Sequence, residues 1–432
     1  GVAVATASLL FGSTIGLSGA ALAATGAAAG TPGAEGSGQP DATSTGVSAN
    51  ASVPSGAVMV VLADQLASTP ASSAHVGQRR SLASRQQDQV LASAGISSQG
   101  VKHFTLVNGF ATTVTPAQAL KLSKDPRVKS VVPDATAVVP NPTSPTDPAT
   151  GTQNAAPTKK GLNNLKGASP QSSTPAKPST PTQQTCTSDP KKPLLEPEAL
   201  SAIKANSTDG SDSAAKYATG KGVKVAVMAE GIDPSSPDYK RPDGTSAIVD
   251  YQNFSGAPES TVQYGDEIFG DASSIAAQGS VVHDLSKWVN IAHALPEGCN
   301  IKIKGVSPGA SVVALNILGG DGSDEATTPS YATASVVAQA IDYAVTVQHV
   351  DIISESIGAN AIPDQSARNA VQQFNDAAIA QGVSVVASSG DAGVTGTMGD
   401  PAVDPLVIAA GATTTLRAYQ QIGFAGTLFS KG

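Results

Sequence analysis

Between residues 223 and 410 short apolar runs alternate with amphipathic stretches, and this constrains the chain more than any other feature of its 432 residues. The runs at 223–228, 311–317, 350–353, 383–387 and 406–410 are of the kind that forms parallel strands buried on both faces. Helical stretches lie between them. Residues 334–346, for example, place Val337, Ala340, Ile341, Ala344 and Val345 on one face. The expected fold class is α/β, a doubly wound parallel sheet with functional residues at the carboxyl ends of its strands.

The chain before this region reads differently. Residues 57–62 are an apolar run fit for a strand, and 81–94 can be helical up to Gly95. Two strand-like runs flank Asn108-Gly109, a hairpin signal because both residues tolerate positive φ. Thr115, Pro116 and Gln118 supply an N-cap, a first-turn proline and a capping-box partner. A last strand at 127–132 completes a βαββαβ order, which is a ferredoxin-like α+β unit.

Glycine and proline, 43 and 29 in number, mark the rest as loop or linker. Residues 1–24 carry no charge and end their apolar run in Ala21-Leu22-Ala23, the small-x-small pattern of a secretory signal. The first basic residue is Arg79 and no initiator methionine precedes the run, so a truncated N-terminus is expected. Serine, threonine and glycine dilute that run too much for a membrane span. The organisation expected is a signal peptide at 1–23, a flexible low-complexity segment at 24–52, the ferredoxin-like unit at 53–140, a Pro/Thr/Ser-rich linker at 141–190 and the α/β domain at 191–432. Acids exceed bases 34 to 26 and the basic residues form no long run, which argues against a nucleic-acid surface. Cys186 and Cys299 allow one disulfide, and the sequence leaves their pairing open.

Four segments of the α/β region, in order, resemble the subtilase superfamily of peptidases: residues 223–233 ending in Gly231-Ile232-Asp233, Gly305 to Ala310, Ile353 to Gly358, and Val385 to Gly393 with 400–402 and 407–412 behind it. The preceding unit, ending in residues 124–133, is similar to the inhibitory propeptide of such enzymes. The resemblance implies a secreted serine-type endopeptidase that hydrolyses peptide bonds through an acyl-enzyme. Its partners would be peptide or protein substrates and its own propeptide as intramolecular inhibitor, with neither nucleic acid nor membrane. A structural calcium is possible by family and cannot be read from these residues.

The departures are specific. Subtilisins end their first strand in an aspartate, where this chain has Ala229, and their His-Gly-Thr-His segment is absent. The corresponding helix carries Glu267 and, four residues on, Asp271. This is similar to the sedolisins, the serine-carboxyl branch. Residues four apart on a helix lie one above the other, so the two carboxyls can share a proton and titrate as a coupled pair. The resemblance implies Glu267 as the base and Asp271 as its orienter. Asp391 follows a buried strand where sedolisins put an oxyanion donor, a role that needs a protonated carboxyl. Ser356, Ile357 and Gly358 would form the substrate-binding edge by β-augmentation. Glu230 is a candidate neighbour of the acid pair, and His283 is the base a histidine mechanism would use, though it lies off the helix. No Gly-Thr-Ser segment opens a late helix, so the resemblance implies a C-terminally truncated catalytic domain, inactive as a fragment for want of a nucleophile. The alternative is a non-catalytic subtilase-like binding module.

Overall fold

An apolar run with one charge-free face becomes β1 (Gly56–Leu62), and Val58 to Leu62 are almost inaccessible to water. The computed structural model describes residues 55–134, 136–138, 186–187, 189–196, 199–206, 212–229, 231–256, 267–287, 295–318, 331–358, 366–390, 398–411, 421–422 and 428–429. The expected signal, the low-complexity segment and most of the expected linker lie outside these residues, as do Glu230, Asp391 and the side chain of Glu267.

After β1 come α1 (Val76–Ala94), β2 (Lys102–Phe104), β3 (Gly109–Val114), α2 (Pro116–Lys124) and β4 (Val128–Pro133). Their antiparallel sheet has the order β2-β3-β1-β4, the ferredoxin-like arrangement expected. Val90, Leu91 and Ala94 of α1, with Ala119 and Leu122 of α2, pack on Val58, Val60, Leu62, Phe110 and Val114 of the sheet. Gly95 stops α1 at φ +71, and the Thr115–Gln118 capping box opens α2.

Two local expectations are corrected. The first helix begins at Val76 and not at 81, because Arg79 in its first turn is buried and bonded to five backbone carbonyls. The Asn108-Gly109 turn is a wider loop, since Phe104 pairs with Gly109 and residues 105–108 all lie between the strands. Asn108 is fully buried there, and its side-chain amide donates to Asp64 O and Gln86 Oε1. Thr105 and Leu106 turn their amides outward to the carboxylate of Asp342.

The second unit runs β5 (Thr136–Val138), β6 (Leu194–Glu196), α3 (Ala199–Ala202), β7 (Lys224–Ala229), β8 (Ile248–Asn253), α4 (Glu267–Ala276), β9 (His283–Asp284), β10 (Asn300–Ile303), β11 (Ser311–Asn316), β12 (Tyr331–Thr333), α5 (Ala334–Thr346), β13 (Ile352–Glu355), α6 (Ser366–Ala380), β14 (Ser384–Ser388) and β15 (Ile408–Ala410). The main sheet has the order β15-β14-β13-β7-β11-β8 and every neighbouring pair is parallel. Alternate residues of β7 serve two cores. Val225, Val227 and Ala229 pack with Ile268, Ala272 and Ala276 of α4, while Ala226 and Met228 pack with α5 and α6. The chain winds from β7 outward to β8 on one side and to β13, β14 and β15 on the other. That reversal places the crevice of a doubly wound sheet at the carboxyl ends of β7 and β13.

The two units meet along α5 and β12. Phe104 packs edge-on against Phe374 of α6, with ring centroids 5.0 Å apart. Asp134, just past β4, accepts from the Ser335 amide at 2.8 Å and its hydroxyl at 2.6 Å, where α5 begins and its amides lack helical partners. Beyond it, β5 pairs antiparallel with β12 from Thr136↔Thr333 to Val138↔Tyr331. Cys186 and Cys299 form a disulfide, with Cα atoms 4.8 Å apart. No described helix is long and apolar enough to cross a membrane.

Candidate active site

Helix α4 lies against β7 and β11, with Ile268, Ala272 and Ala276 fully buried on its inward face. Glu267 is its first residue, and Asp271 follows one turn later. Asp271 is only 9 % exposed, and burial pushes its carboxyl up to about 6. The opposing influence is a hydrogen bond from the Ser356 side chain, which favours the charged form. Oδ2 of Asp271 has no hydrogen-bond partner among the described residues.

Ser356 directly follows β13. That strand pairs with β7 through Glu355↔Met228, and the Ser356 amide donates to Met228 O at 3.1 Å. Ser356 therefore stands beside Ala229, the position where a first-strand aspartate was missed in the sequence. Asp271 on α4 and Ser356 at the end of β13 thus lie together at the carboxyl edge of the sheet.

Ile357 and Gly358 continue this edge, half-buried. A Cβ on Gly358 would lie 3.9 Å from Gly390 Cα, so the end of β13 and the turn after β14 run side by side. Gly390 takes φ +88, which favours glycine. Asp391 comes next in the chain and lies outside the described residues, so its place across the crevice stays an expectation. The same holds for Glu230.

His283 is elsewhere. It sits on β9 in the small sheet β6-β10-β9, and its Nε2 is 2.9 Å from Oδ1 of the buried Asp238. The chain does contain a Gly-Thr-Ser, at residues 244–246, but it forms the turn leading into β8. There Thr245 is tied to Asp243 and the Ser246 hydroxyl accepts from Ile248 N, at the amino edge of the sheet, opposite Asp271.

The segment after β4 pairs through residues 136–138 with β12, the strand that feeds α5. The groups missed in the sequence are buried acids. Glu355, the last residue of β13, is 1 % exposed, and burial pushes it to about 8, with Asp400 and Asp404 adding in the same direction. Asp342 on α5 is pushed to about 6 by burial, against its bonds from Leu106 and Thr105. Neither lies in an apolar or charged pattern that marks it. Among the described residues no group of three His, Cys, Asp or Glu side chains could hold a metal ion.

Residues 220–426 match the Subtilase family, Peptidase S8, and residues 58–138 match Peptidase inhibitor I9. The two matches cover separate stretches, one similar to the inhibitor family lying ahead of one similar to the subtilases. Subtilisins are among the curated relatives of the second stretch: Subtilisin E of Bacillus subtilis is 28 % identical over 212 residues, covering 48 % of this chain and 45 % of that protein. The Major intracellular serine protease of Bacillus subtilis is 30 % identical over 236 residues, covering 52 % of this chain and 60 % of that protein. The chain thus spans about half the length of the first subtilisins it matches. Among solved structures, fervidolysin from Fervidobacterium pennivorans, a keratinolytic enzyme related to subtilisin, aligns over 88 % of this chain and 50 % of its own, at 16 % identity and a TM-score of 0.44. The curated relatives named are a subtilisin and a serine protease, so nearness to the serine-carboxyl branch rests on Glu267, Asp271 and Asp391 alone.

Proposed function

We propose that the chain is part of a secreted serine-carboxyl endopeptidase precursor, in which Glu267 takes the proton of a serine nucleophile, Asp271 orients Glu267 and Asp391 donates to the oxyanion. One observation carries this reading. Asp271 is buried at the carboxyl edge of the sheet on a subtilase scaffold that has Ala229 in place of the first-strand aspartate and no histidine on α4. Ser356, Ile357 and Gly358 take the substrate as an added strand. Residues 53–140 act as intramolecular inhibitor, after a signal at 1–23 and a low-complexity segment at 24–52; 141–190 is the linker and 191–432 the catalytic portion. The β5–β12 pairing supports the inhibitory role, because it lays the propeptide tail along an edge of the subtilase domain. Peptide turnover by this route requires a serine nucleophile in addition to the acids named above. A purely binding module has less support, since the inhibitor unit has no purpose without an activity to restrain.

The test is a pH profile of peptidase rate on the full reading frame. Activity peaks well below neutrality and falls as Asp391 ionises. Glu267→Gln lowers turnover by about 10³-fold or more at every pH, whereas His283→Ala leaves it nearly unchanged. A neutral optimum with His283 essential would return the site to a histidine mechanism.

A further inference from the structure

Asp271 is an expensive residue to bury. A carboxylate removed from water needs hydrogen-bond donors, and the apolar faces of β7 and β11 against α4 supply none: Val225, Val227, Ala229, Val312 and Ala314 all belong to that core. Among the described residues the titratable groups near this carboxyl are few. Glu267 stands one turn earlier on α4. Tyr239, on the short helix Pro237–Tyr239, feels the Asp271 charge but gives its hydroxyl to Phe269 O and Ser273 Oγ; Asp238 and Asp233 lie beyond it on the same segment. From β13 comes Ser356, whose side chain is the hydrogen-bond partner given to Asp271.

We propose that Ser356 is a positioning residue for the acid pair: its hydroxyl, from the strand beside Ala229, supplies the polar contact that β7 lacks and fixes the orientation of the Asp271 carboxyl. The inference rests on the catalytic reading above and goes beyond the role of Ser356 as a substrate edge. Substrate pairing uses the backbone of residues 356–358, so the hydroxyl is available for this second task. Donation to the carboxylate opposes the effect of burial and keeps the pair's negative charge in acid, where a base must still be able to accept a proton.

Two measurements decide it. In residues 1–432 as they stand, the ionisation of Asp271 is followed by the infrared band of its protonated carboxyl, assigned by difference from Asp271→Asn. Ser356→Ala moves the midpoint up by about one pH unit, and Ser356→Thr, which keeps the hydroxyl, restores it. In the full reading frame, Ser356→Ala moves the acid limb of the rate profile upward by a similar amount, whereas loss of a substrate edge alone lowers the rate equally at all pH. An unmoved midpoint in Ser356→Ala, an equal shift in Ser356→Thr, or an unfolded Ser356→Ala each overturns the proposal. If the full reading frame shows no acid peptidase activity, the proposed function fails, and the titration still decides the Ser356–Asp271 coupling.

Discussion

Arg79→Ala is expected to unfold the inhibitor unit within the intact chain. The Arg79 side chain is 5 % exposed, and it donates to the carbonyls of Gln65, Leu66, Thr69, Thr105 and Leu106 at 2.7 to 3.0 Å. It ties the start of α1 to the segment after β1 and to the loop between β2 and β3. Each buried acceptor left without a donor costs about 1–3 kcal/mol. A unit of this size has roughly 5–10 kcal/mol in total, so losing several such bonds, with a cavity in their place, exhausts it. Lysine has a point charge and three donors and cannot reproduce the fork, so Arg79→Lys is expected to fail as well. Limited proteolysis reads this directly: cuts should appear between residues 56 and 133 in the variants and not in the wild type. Wild-type resistance in Arg79→Ala would show that the carbonyls find other donors.

The second large effect is on stability against pH. Glu355 carries a folded pKa of about 8, well above that of an exposed glutamate. Its folded form therefore holds a proton that the unfolded chain has lost. Stability from this group is full below the ordinary glutamate range and declines as pH rises toward 8, by about 1.4 kcal/mol per unit. Asp271 and Asp342, both raised to about 6, add to the decline between about pH 4 and 6. The geometry shows what the proton does. Asn375 Nδ2 donates to Glu355 Oε2 at 3.0 Å, while Glu355 Oε1 and Asn375 Oδ1 are both without partners among the described residues. A proton on Glu355 adds the donor that these two buried oxygens lack. Glutamine offers the same donor and acceptor without titrating, so Glu355→Gln should flatten the curve between pH 6 and 8 and raise the melting point at pH 8. Parallel curves for the two proteins would remove Glu355 from the account.

Parts of the fold were plain in the sequence, for identifiable reasons. β7, β11 and β14 are buried on both faces, so their apolar runs mark them within a residue. β8 (Ile248–Asn253) was missed because it is an edge strand whose polar residues, Asp250, Gln252 and Asn253, leave no such run. β13 was placed two residues too early: the apolar signal ends at Ile353, but backbone pairing carries the strand through Ser354 to Glu355, a charge type that patterning assigns to water. The capping box of α2 could be read because its partners are three residues apart. The Asp271–Ser356 contact could not, because 85 positions separate them and nothing local signals it. Arg79 and Asp342 were invisible for a related reason, since each is satisfied by backbone groups that carry no sequence signature.

The Cys186–Cys299 bond joins positions 113 apart in sequence and encloses β6, β7, β8, α4 and β9. Any single backbone break inside that ring leaves one covalent molecule, and the first strand and the helix carrying Asp271 cannot drift apart. A break before Cys186 has the opposite outcome, since the inhibitor unit lies wholly outside the ring and is held there by noncovalent contacts alone. Breaks between the two cysteines are thus held by a covalent link, whereas breaks ahead of Cys186 leave the first unit attached by packing and hydrogen bonds only.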